Sequence, residues 1–370
     1  MLHRRRFLTD VSAGLGLSLL ARRPLLADDP PVLDTVDRLR REMDDAPLAL
    51  RFRGTTAEEC RKWQAEFGAK LRALLGPFTP PTKWKTIVQK TADLEDHRRE
   101  ELVLTAEGCP PLPVYLLLPR PKADKRRAGI LALHGHGGQG HHPVAGRDDL
   151  PGVANAIKSA HYDYGRQLAQ RGYAVAVPCF TPFGVRAGNR ELFGKADPCS
   201  DTFLRMQALG KLLIAENLRD ALWSLQLLAG HEEVDASRLG CVGLSYGGRM
   251  TMLTAAVEPR IKVAVVSGAL NLMKERVRNP YSCGAQIIPG LLKYGDTPEI
   301  GSLIAPRPCL WEAGLRDGLI PAKEADEMLG RMRRAYKALD AEDRLQVDRH
   351  EGGHVWNGKV AYPLIDKVLG

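Results

Sequence analysis

From residue 128 onward, short apolar runs alternate with longer amphipathic segments, and this alternation restricts the possible folds more than any other feature of the sequence. Runs such as 129–133 and 239–242 have the length of buried strands, and helical patterns such as 212–228 and 246–257 separate them. Parallel strands need crossover helices of this kind and are buried on both faces. We therefore expect a mostly parallel sheet covered by helices on both sides.

The composition is that of a globular protein. The 370 residues are 44% hydrophobic and 26% charged, which excludes a disordered chain, a collagen, a coiled coil and a multi-span membrane protein. The formal net charge is +9, but residues 1–27 hold five arginines against one aspartate, so the remaining chain is only mildly basic. Nucleic-acid binding is therefore not expected.

Residues 1–27 have the pattern of an export signal. The run 4–8 reads Arg-Arg-Arg-Phe-Leu, and the stretch 11–21 carries no charge. A basic segment before a short apolar one is typical of a signal peptide, and the adjacent arginines are similar to a twin-arginine signal. We expect cleavage near Ala27 and a periplasmic or secreted protein with no stable membrane insertion after export.

Residues 28–83 are predicted to form an N-terminal helical extension, and residues 84–370 a catalytic domain. Thr56 and Glu59 have the spacing of a capping box at the start of a helix. One apolar stripe then follows at steps of three or four residues, and it consists of Cys60, Trp63, Phe67, Leu71 and Leu74. After it come three short strand patterns separated by turn residues, which predict an antiparallel meander.

The motif Gly-Leu-Ser-Tyr-Gly-Gly at 243–248 follows an apolar strand and opens a helix. This is the context that a nucleophile elbow requires. Ser245 would lie on a tight turn where the flanking glycines avoid clashes, and the helix N-terminus would direct N–H groups at developing negative charge. The alternative interpretation is an ordinary tight turn with a helix-capping serine.

A serine hydroxyl needs a base to become a nucleophile, and the base needs an orienting acid. Only His350 and His354 lie downstream of Ser245. We favour His354, because it follows two glycines in a loop before the last helix. For the acid we favour Asp317, just beyond a predicted strand, over Glu312, which lies within that strand and should point elsewhere.

The oxyanion of an acyl-transfer intermediate needs backbone donors near the nucleophile. The segment 133–138 reads Leu-His-Gly-His-Gly-Gly, and its glycines would let N–H groups approach a carbonyl oxygen. We assign the donors to the N–H groups of His136 and Tyr246. An alternative is that four nearby histidines bind a metal: His134, His136, His141 and His142. Because no cluster of carboxylates or cysteines accompanies them in the sequence, we expect no metal and no cofactor.

Two long connections, 180–208 and 268–308, should leave the carboxyl edge of the sheet, and connections of this length are often functional. Each contains a cysteine in a loop-like segment, Cys199 and Cys283, and export would permit a bridge between them. The seven cysteines include no C-x-x-C pair, so neither a zinc ribbon nor a redox motif is expected.

Together with Ala-Pro-Arg-Pro at 305–308, these motifs resemble the α/β-hydrolase superfamily, and within it the bacterial dienelactone-hydrolase and acetyl-xylan-esterase-like group. The resemblance covers about residues 84–370. It implies an eight-stranded, mostly parallel sheet and cofactor-free ester hydrolysis through an acyl-serine, with Ser245, Asp317 and His354 as the triad. True dienelactone hydrolases carry cysteine at the nucleophile position, so a serine esterase acting on small-molecule or carbohydrate esters is expected.

Two other functions are compatible with the same motifs. A peptidase of the prolyl-oligopeptidase type shares the triad and its chain order, although it usually carries a large gating domain that residues 28–83 are too short to form. A catalytically silent binding protein could use the same cleft, but it would not require a complete triad.

Overall fold

The structure is a computed structural model that describes residues 34–121, 125–188, 197–278 and 283–370. Its strands are β1 Lys85–Asp93, β2 His97–Ala106, β3 Cys109–Pro119, β4 Arg127–Leu133, β5 Ala174–Pro178, β6 Val234–Leu244, β7 Ile261–Ser267, β8 Cys309–Gly314 and β9 Leu345–His350. Its helices are α1 Thr35–Asp44, α2 Ala57–Leu75, α3 Val153–Ala160, α4 Tyr164–Gln170, α5 Pro198–Ala208, α6 Leu213–Ala229, α7 Tyr246–Val257, α8 Met273–Arg278, α9 Thr297–Ser302, α10 Ala322–Ala338 and α11 Ala361–Leu369.

The strands form a single sheet in the order β1-β2-β3-β5-β4-β6-β7-β8-β9. β1, β2 and β3 are an antiparallel meander, and β3 pairs antiparallel with β5. From β5 to β9 every neighbouring pair is parallel. The carboxyl ends of these parallel strands therefore meet at one edge, where α/β folds place their ligands.

The sheet has nine strands among the described residues, one more than the eight that the family resemblance implied. The additional strand is β1, at the antiparallel end of the sheet. It pairs with β2 from Lys85 opposite Thr105 to Asp93 opposite Arg98. It is the exposed edge of the sheet, and it leaves the parallel half and its carboxyl edge unchanged.

Helices cover both faces of the parallel half, as the alternation of patterns predicted. Side chains along β4 point alternately to the two faces, because successive residues of a strand face opposite ways. Leu131 and Leu133 enter the core under α2, α6, α7 and α10. Ile130 and Ala132 enter the core under α4 and α11.

Helix α2 begins with the predicted capping box. The Glu59 N–H donates to Thr56 Oγ1 at 3.3 Å, and the Thr56 N–H donates to a carboxylate oxygen of Glu59 at 3.0 Å. The buried stripe is the predicted one except at its end, where Leu75 is buried and Leu74 is only half-buried. The last step of the stripe is therefore four residues rather than three.

The chain divides into two units, and the boundary lies between residues 42 and 43. Helix α2 lies in the second unit with the whole sheet, and the Gln64 side chain donates to the carbonyls of Ser302 and Ala305 at 3.1 and 2.8 Å. The predicted division at residues 83 and 84 therefore falls inside this unit. The predicted signal segment, residues 1–27, lies outside the described residues.

Candidate active site

Ser245 occupies a strained turn between β6 and α7. Its φ of 65° and ψ of −121° are unusual for a residue that carries a Cβ, and strain of this kind occurs at functional sites. The Ser245 N–H donates to the Ser267 carbonyl at 2.8 Å, which fixes the turn to the end of β7. Within the described chain the hydroxyl makes no capping hydrogen bond to α7, so the capping-serine interpretation does not explain it.

The turn that carries Ser245 lies in close contact with the end of β4 as well as the end of β7. A Cβ built on Gly247 would lie 1.9 Å from the Leu133 carbonyl oxygen at the end of β4. This contact excludes any side chain at position 247. It also brings the start of α7 next to the loop that follows β4, which carries His136.

Asp317 and His354 are in direct contact. Asp317 follows β8 and His354 follows β9, and the His354 Nδ1–H donates to Asp317 Oδ2 at 2.6 Å. The other carboxylate oxygen accepts the Leu319 N–H at 2.9 Å. The Asp317 side chain is 1% exposed and that of His354 is 29% exposed, so a buried acid orients a ring whose edge reaches solvent.

The loop that carries His354 is held at the carboxyl edge by backbone contacts. The Arg316 N–H donates to the Gly352 carbonyl at 3.0 Å, and the Trp356 N–H donates to the Ala160 carbonyl at 3.0 Å. A Cβ on Gly268, which has a φ of 62°, would lie 2.9 Å from His354 Cε1. The ring therefore lies over the end of β7, beside the turn of Ser245.

His350, the alternative base, has a different environment. It is the last residue of β9, and its Nδ1 accepts the Gly352 N–H at 3.1 Å. The structure therefore pairs the acid with His354. The His354 Nε2 atom is buried and has no hydrogen-bond partner within the described part of the chain.

Ser245 and His354 line the same cleft, which has a volume of about 250 Å³. His136 also lines it, together with glycines of the loop after β4. Tyr246 is the first residue of α7, and the first N–H groups of a helix have no carbonyl partner within it. The structure thus brings the five predicted site residues to one place at the carboxyl edge.

Tyr162 is a residue of this cleft that sequence reasoning missed. Its hydroxyl accepts the Gly135 N–H at 2.5 Å and so fixes the loop that leads to His136. It lies between α3 and α4, in no recognisable motif. Only its position just before a helix on the same edge of the sheet could have suggested it.

Comparison with known proteins identifies the family to which this chain belongs. Residues 148–352 match the model of the dienelactone hydrolase family, a span that includes Ser245 and Asp317. The chain is also 30% identical over 296 residues to "Putative hydrolase YtaP" of Bacillus subtilis (strain 168), which covers 79% of this chain and 94% of that protein. The chain belongs to the dienelactone hydrolase family. It is accordingly a serine ester hydrolase.

Solved structures share the fold of this dienelactone hydrolase family member. One is described as "a putative acetyl xylan esterase" from Bacteroides fragilis NCTC 9343, with a TM-score of 0.75, 16% identity, and coverage of 92% of this chain and 97% of that one. Another is the glucuronoyl esterase from Solibacter usitatus, with a TM-score of 0.60, 16% identity, and coverage of 84% and 93%. The predicted α/β-hydrolase fold is confirmed.

The four histidines considered as metal ligands do not form a ligand cluster with one another among the described residues of this dienelactone hydrolase family member. His134 is buried, its Nε2 accepts the Phe180 N–H at 2.9 Å, and burial lowers its pKa to about 4. Burial also lowers the pKa of His141, and His142 Nδ1 lies 2.8 Å from the Tyr115 hydroxyl. Of the four, only His136 is exposed.

His136 instead lies in a cluster with residues from the two long connections. His136, Asp197, Cys199 and Cys283 each place one potential ligand atom within 4.8 Å of the others. The Cys199 thiol and His136 also lower the pKa of the Cys283 thiol by hydrogen bonding to it. This is the one group of metal-ligand type found among the described residues.

Glu312, the acid that the sequence did not favour, binds the backbone beyond His354, whereas the His354 ring is bound by Asp317. Glu312 is buried within β8, and its carboxylate accepts the Gly358 N–H at 2.9 Å. Burial raises its pKa to about 7. Glu312 therefore contacts the chain just beyond His354, a contact that sequence patterns did not indicate.

Among the described residues, no helix combines the length and the hydrophobicity that crossing a membrane requires.

Proposed function

We propose that the protein hydrolyses carboxylic esters through an acyl-enzyme formed on Ser245. His354 is the general base, Asp317 is the orienting acid, and the N–H groups of His136 and Tyr246 hold the oxyanion. The observation that carries this proposal is the 2.6 Å contact of Asp317 with His354, which lines the same cleft as the strained Ser245.

The tautomer of His354 supports this assignment. Because an ionised carboxylate only accepts hydrogen bonds, Asp317 keeps the ring proton on Nδ1 and leaves Nε2 as the basic nitrogen. In the proposed reaction Nε2 takes the proton of the Ser245 hydroxyl as its oxygen attacks the ester carbonyl. The same nitrogen then protonates the departing alcohol, and a water activated by His354 releases the acid.

The lining of the cleft favours a small, neutral acyl group. Among the described residues that line it, none is aspartate, glutamate, lysine or arginine, and the walls include several glycines together with Ala156 and Ala160. Such walls offer no partner for a charged acyl chain. We therefore propose an acetyl ester as substrate, carried by a carbohydrate in line with the structural neighbours named as acetyl xylan esterases.

Turnover of p-nitrophenyl acetate tests the catalytic assignment. Ser245→Ala should abolish it and leave the thermal unfolding midpoint nearly unchanged. Ser159→Ala is the matched control, because Ser159 lines the same cleft but its hydroxyl donates to the Ala156 carbonyl. Retained turnover in Ser245→Ala, or equal losses in both variants, would refute the assignment.

The substrate class is tested separately with a panel of acyl chain lengths and with acetylated xylan. We expect kcat/KM to fall steeply beyond short acyl chains, because the cleft is small. Higher activity on aminoacyl amides than on esters would favour the peptidase alternative. Failure of the folded protein to turn over any of these compounds would favour a binding protein.

We further propose that residues 1–27 direct export and that the mature protein acts outside the cytoplasm. The arginine-rich start and the uncharged stretch that follows support this proposal. The mass of the protein purified from the periplasm should correspond to a chain that begins near Asp28. An intact Met1 in that fraction would contradict export by cleavage.

A further inference from the structure

His136, Asp197, Cys199 and Cys283 come from three separate segments that meet beside the cleft. We propose that these four side chains form a tetrahedral zinc site that joins the loop after β4 to both long connections. This site differs from the histidine group that the sequence suggested, and it departs from our expectation of no metal.

The donor set and its spacing fit zinc. Tetrahedral zinc with nitrogen, oxygen and thiolate ligands holds neighbouring ligand atoms about 3.3 to 3.8 Å apart, given its bond lengths of about 2.0 to 2.3 Å. His136 Nε2 lies 3.2 Å from Cys199 Sγ and 3.9 Å from Asp197 Oδ1. These two distances are within a few tenths of an ångström of the tetrahedral values, and all four ligand atoms lie within 4.8 Å of one another, so the remaining pairs would need to close by about 1 Å at most.

Two of the ligands are oriented by neighbouring groups. Asp197 caps α5 through Oδ2, which accepts the Ser200 N–H at 3.1 Å, and its Oδ1 faces His136. The His136 ring packs edge-on against Phe183 with ring centroids 5.2 Å apart. Outer contacts of this kind fix the direction of metal ligands and strengthen binding.

The packing of α5 brings the two cysteines together. A Cβ on Gly284 would lie 2.7 Å from Phe203 Cβ and 3.3 Å from the Cys199 carbonyl oxygen. Only glycine allows this close approach, which places Cys283 beside Cys199. The two residues are 84 positions apart in the sequence, which is why no local spacing pattern reveals them.

The burial of the cluster suits a structural ion. Cys199 and Cys283 are buried, whereas the side chains of His136 and Asp197 are 46% and 43% exposed and leave a path from solvent. Four protein ligands fill a tetrahedral shell, so no position remains for substrate or water. The site goes beyond the proposed hydrolysis, since it needs neither Ser245 nor His354.

Zinc content of the full-length chain tests the proposal. The protein is reduced, stripped with a chelator, loaded with Zn²⁺ and passed through gel filtration before elemental analysis. We expect one zinc per chain in the wild type, its loss in Cys199→Ser and Cys283→Ser, and its retention in Cys109→Ser, a control cysteine on β3 outside the cluster. Ser245→Ala should also retain zinc, which separates this result from the hydrolase proposal.

Cobalt gives a second readout that does not depend on activity. Co²⁺ in the wild type should show a thiolate charge-transfer band and intense tetrahedral d–d bands, both absent in Cys283→Ser. Zn²⁺ should raise the unfolding midpoint of the wild type and of Cys109→Ser, but not that of Cys283→Ser.

Three outcomes would overturn the site. One is no zinc on the folded wild type after loading. Another is stoichiometric zinc in both cluster variants. The third is a peptide map of the protein purified without reductant that links Cys199 to Cys283, because a disulfide would remove both thiolate ligands.

Discussion

Ser245 holds a backbone conformation that is costly for a residue with a side chain, and its surroundings maintain that conformation. Its N–H is bound to β7, and the glycine two residues later lies against the end of β4. Each proposed catalytic side chain follows the end of a different parallel strand. The parallel arrangement therefore converts three distant sequence positions into one site.

The choice between the two downstream histidines is tested by a pair of variants. His354→Asn should lower kcat for p-nitrophenyl acetate by at least about 100-fold, because it removes the proposed general base. His350→Asn should keep kcat within a few-fold, since His350 contacts the Gly352 N–H rather than Asp317. The reverse order of the two effects would move the base to His350.

Gly268 provides a test of how the His354 ring is positioned. Gly268→Ala should reduce kcat by about 10-fold or more, because its Cβ would lie 2.9 Å from the ring. Gly108→Ala is the control, since Gly108 also has a positive φ but has no atom within 4 Å of the added carbon among the described residues. Both variants should lose about 1 kcal/mol or more of stability from backbone strain. Equal kcat in the two would show that the clash does not reach the catalytic ring.

Two side chains from β8 and the turn after it hold the segment that follows β9, which carries His354. Glu312 in β8 accepts the N–H of Gly358, and Asp317 after β8 accepts the Nδ1–H of His354. β8 and the turn after it therefore bind the segment that follows β9 at two positions, His354 and Gly358. The carboxyl group of Glu312 is buried, and burial raises its pKa to about 7 because it disfavours the charged form.

This raised pKa predicts a pH dependence of stability. The folded state keeps the Glu312 proton up to a higher pH than the unfolded state, so this group makes the protein less stable as pH rises from about 4.5 to about 7. Glu312→Gln stays neutral and should retain the Gly358 contact through its amide oxygen. Its unfolding midpoint relative to the wild type should therefore be higher at pH 8 than at pH 5. The exposed Glu351→Gln is the control, and the same midpoint difference at both pH values for Glu312→Gln would contradict the burial argument.

The sequence was sufficient to predict the strands and helices whose hydrophobic pattern lies within a short stretch of the chain. Apolar runs were enough to locate the parallel strands. Because sites in such folds lie at the carboxyl ends of the strands, the sequence also indicated Asp317 and His354, and the structure brings these two residues into contact. Tyr162, Glu312 and the contact of Cys199 with Cys283 were not predictable, because they depend on how loops pack across 20 or more residues of sequence. The extra strand β1 was marked by its own pattern, and only the family resemblance suggested a smaller sheet.

At the scale of the whole molecule, α2 belongs to the unit that contains the sheet. Its buried face includes Trp63, Phe67 and Leu71, and they join the same core as the strands of the parallel half. Loss of one such aromatic side chain typically costs about 3 to 5 kcal/mol, a large part of the stability of a domain. The helix is therefore a structural component of the hydrolase rather than an appendage.

Two truncations test this conclusion. A chain of residues 43–370 should unfold cooperatively and hydrolyse p-nitrophenyl acetate like the full chain, because it keeps α2. A chain of residues 84–370 should aggregate or unfold at a much lower temperature, because the core face under α2 would be exposed. Equal unfolding midpoints for the two truncations would mean that α2 contributes nothing to the core.

If Ser245 is the activated nucleophile of an ester hydrolase, a fluorophosphonate should label it covalently, and peptide mass spectrometry can locate the label. We expect one adduct per chain, located on Ser245, absent in Ser245→Ala and formed much more slowly in His354→Asn. An adduct on another residue, or no adduct on the folded wild-type protein, would contradict this assignment of the nucleophile.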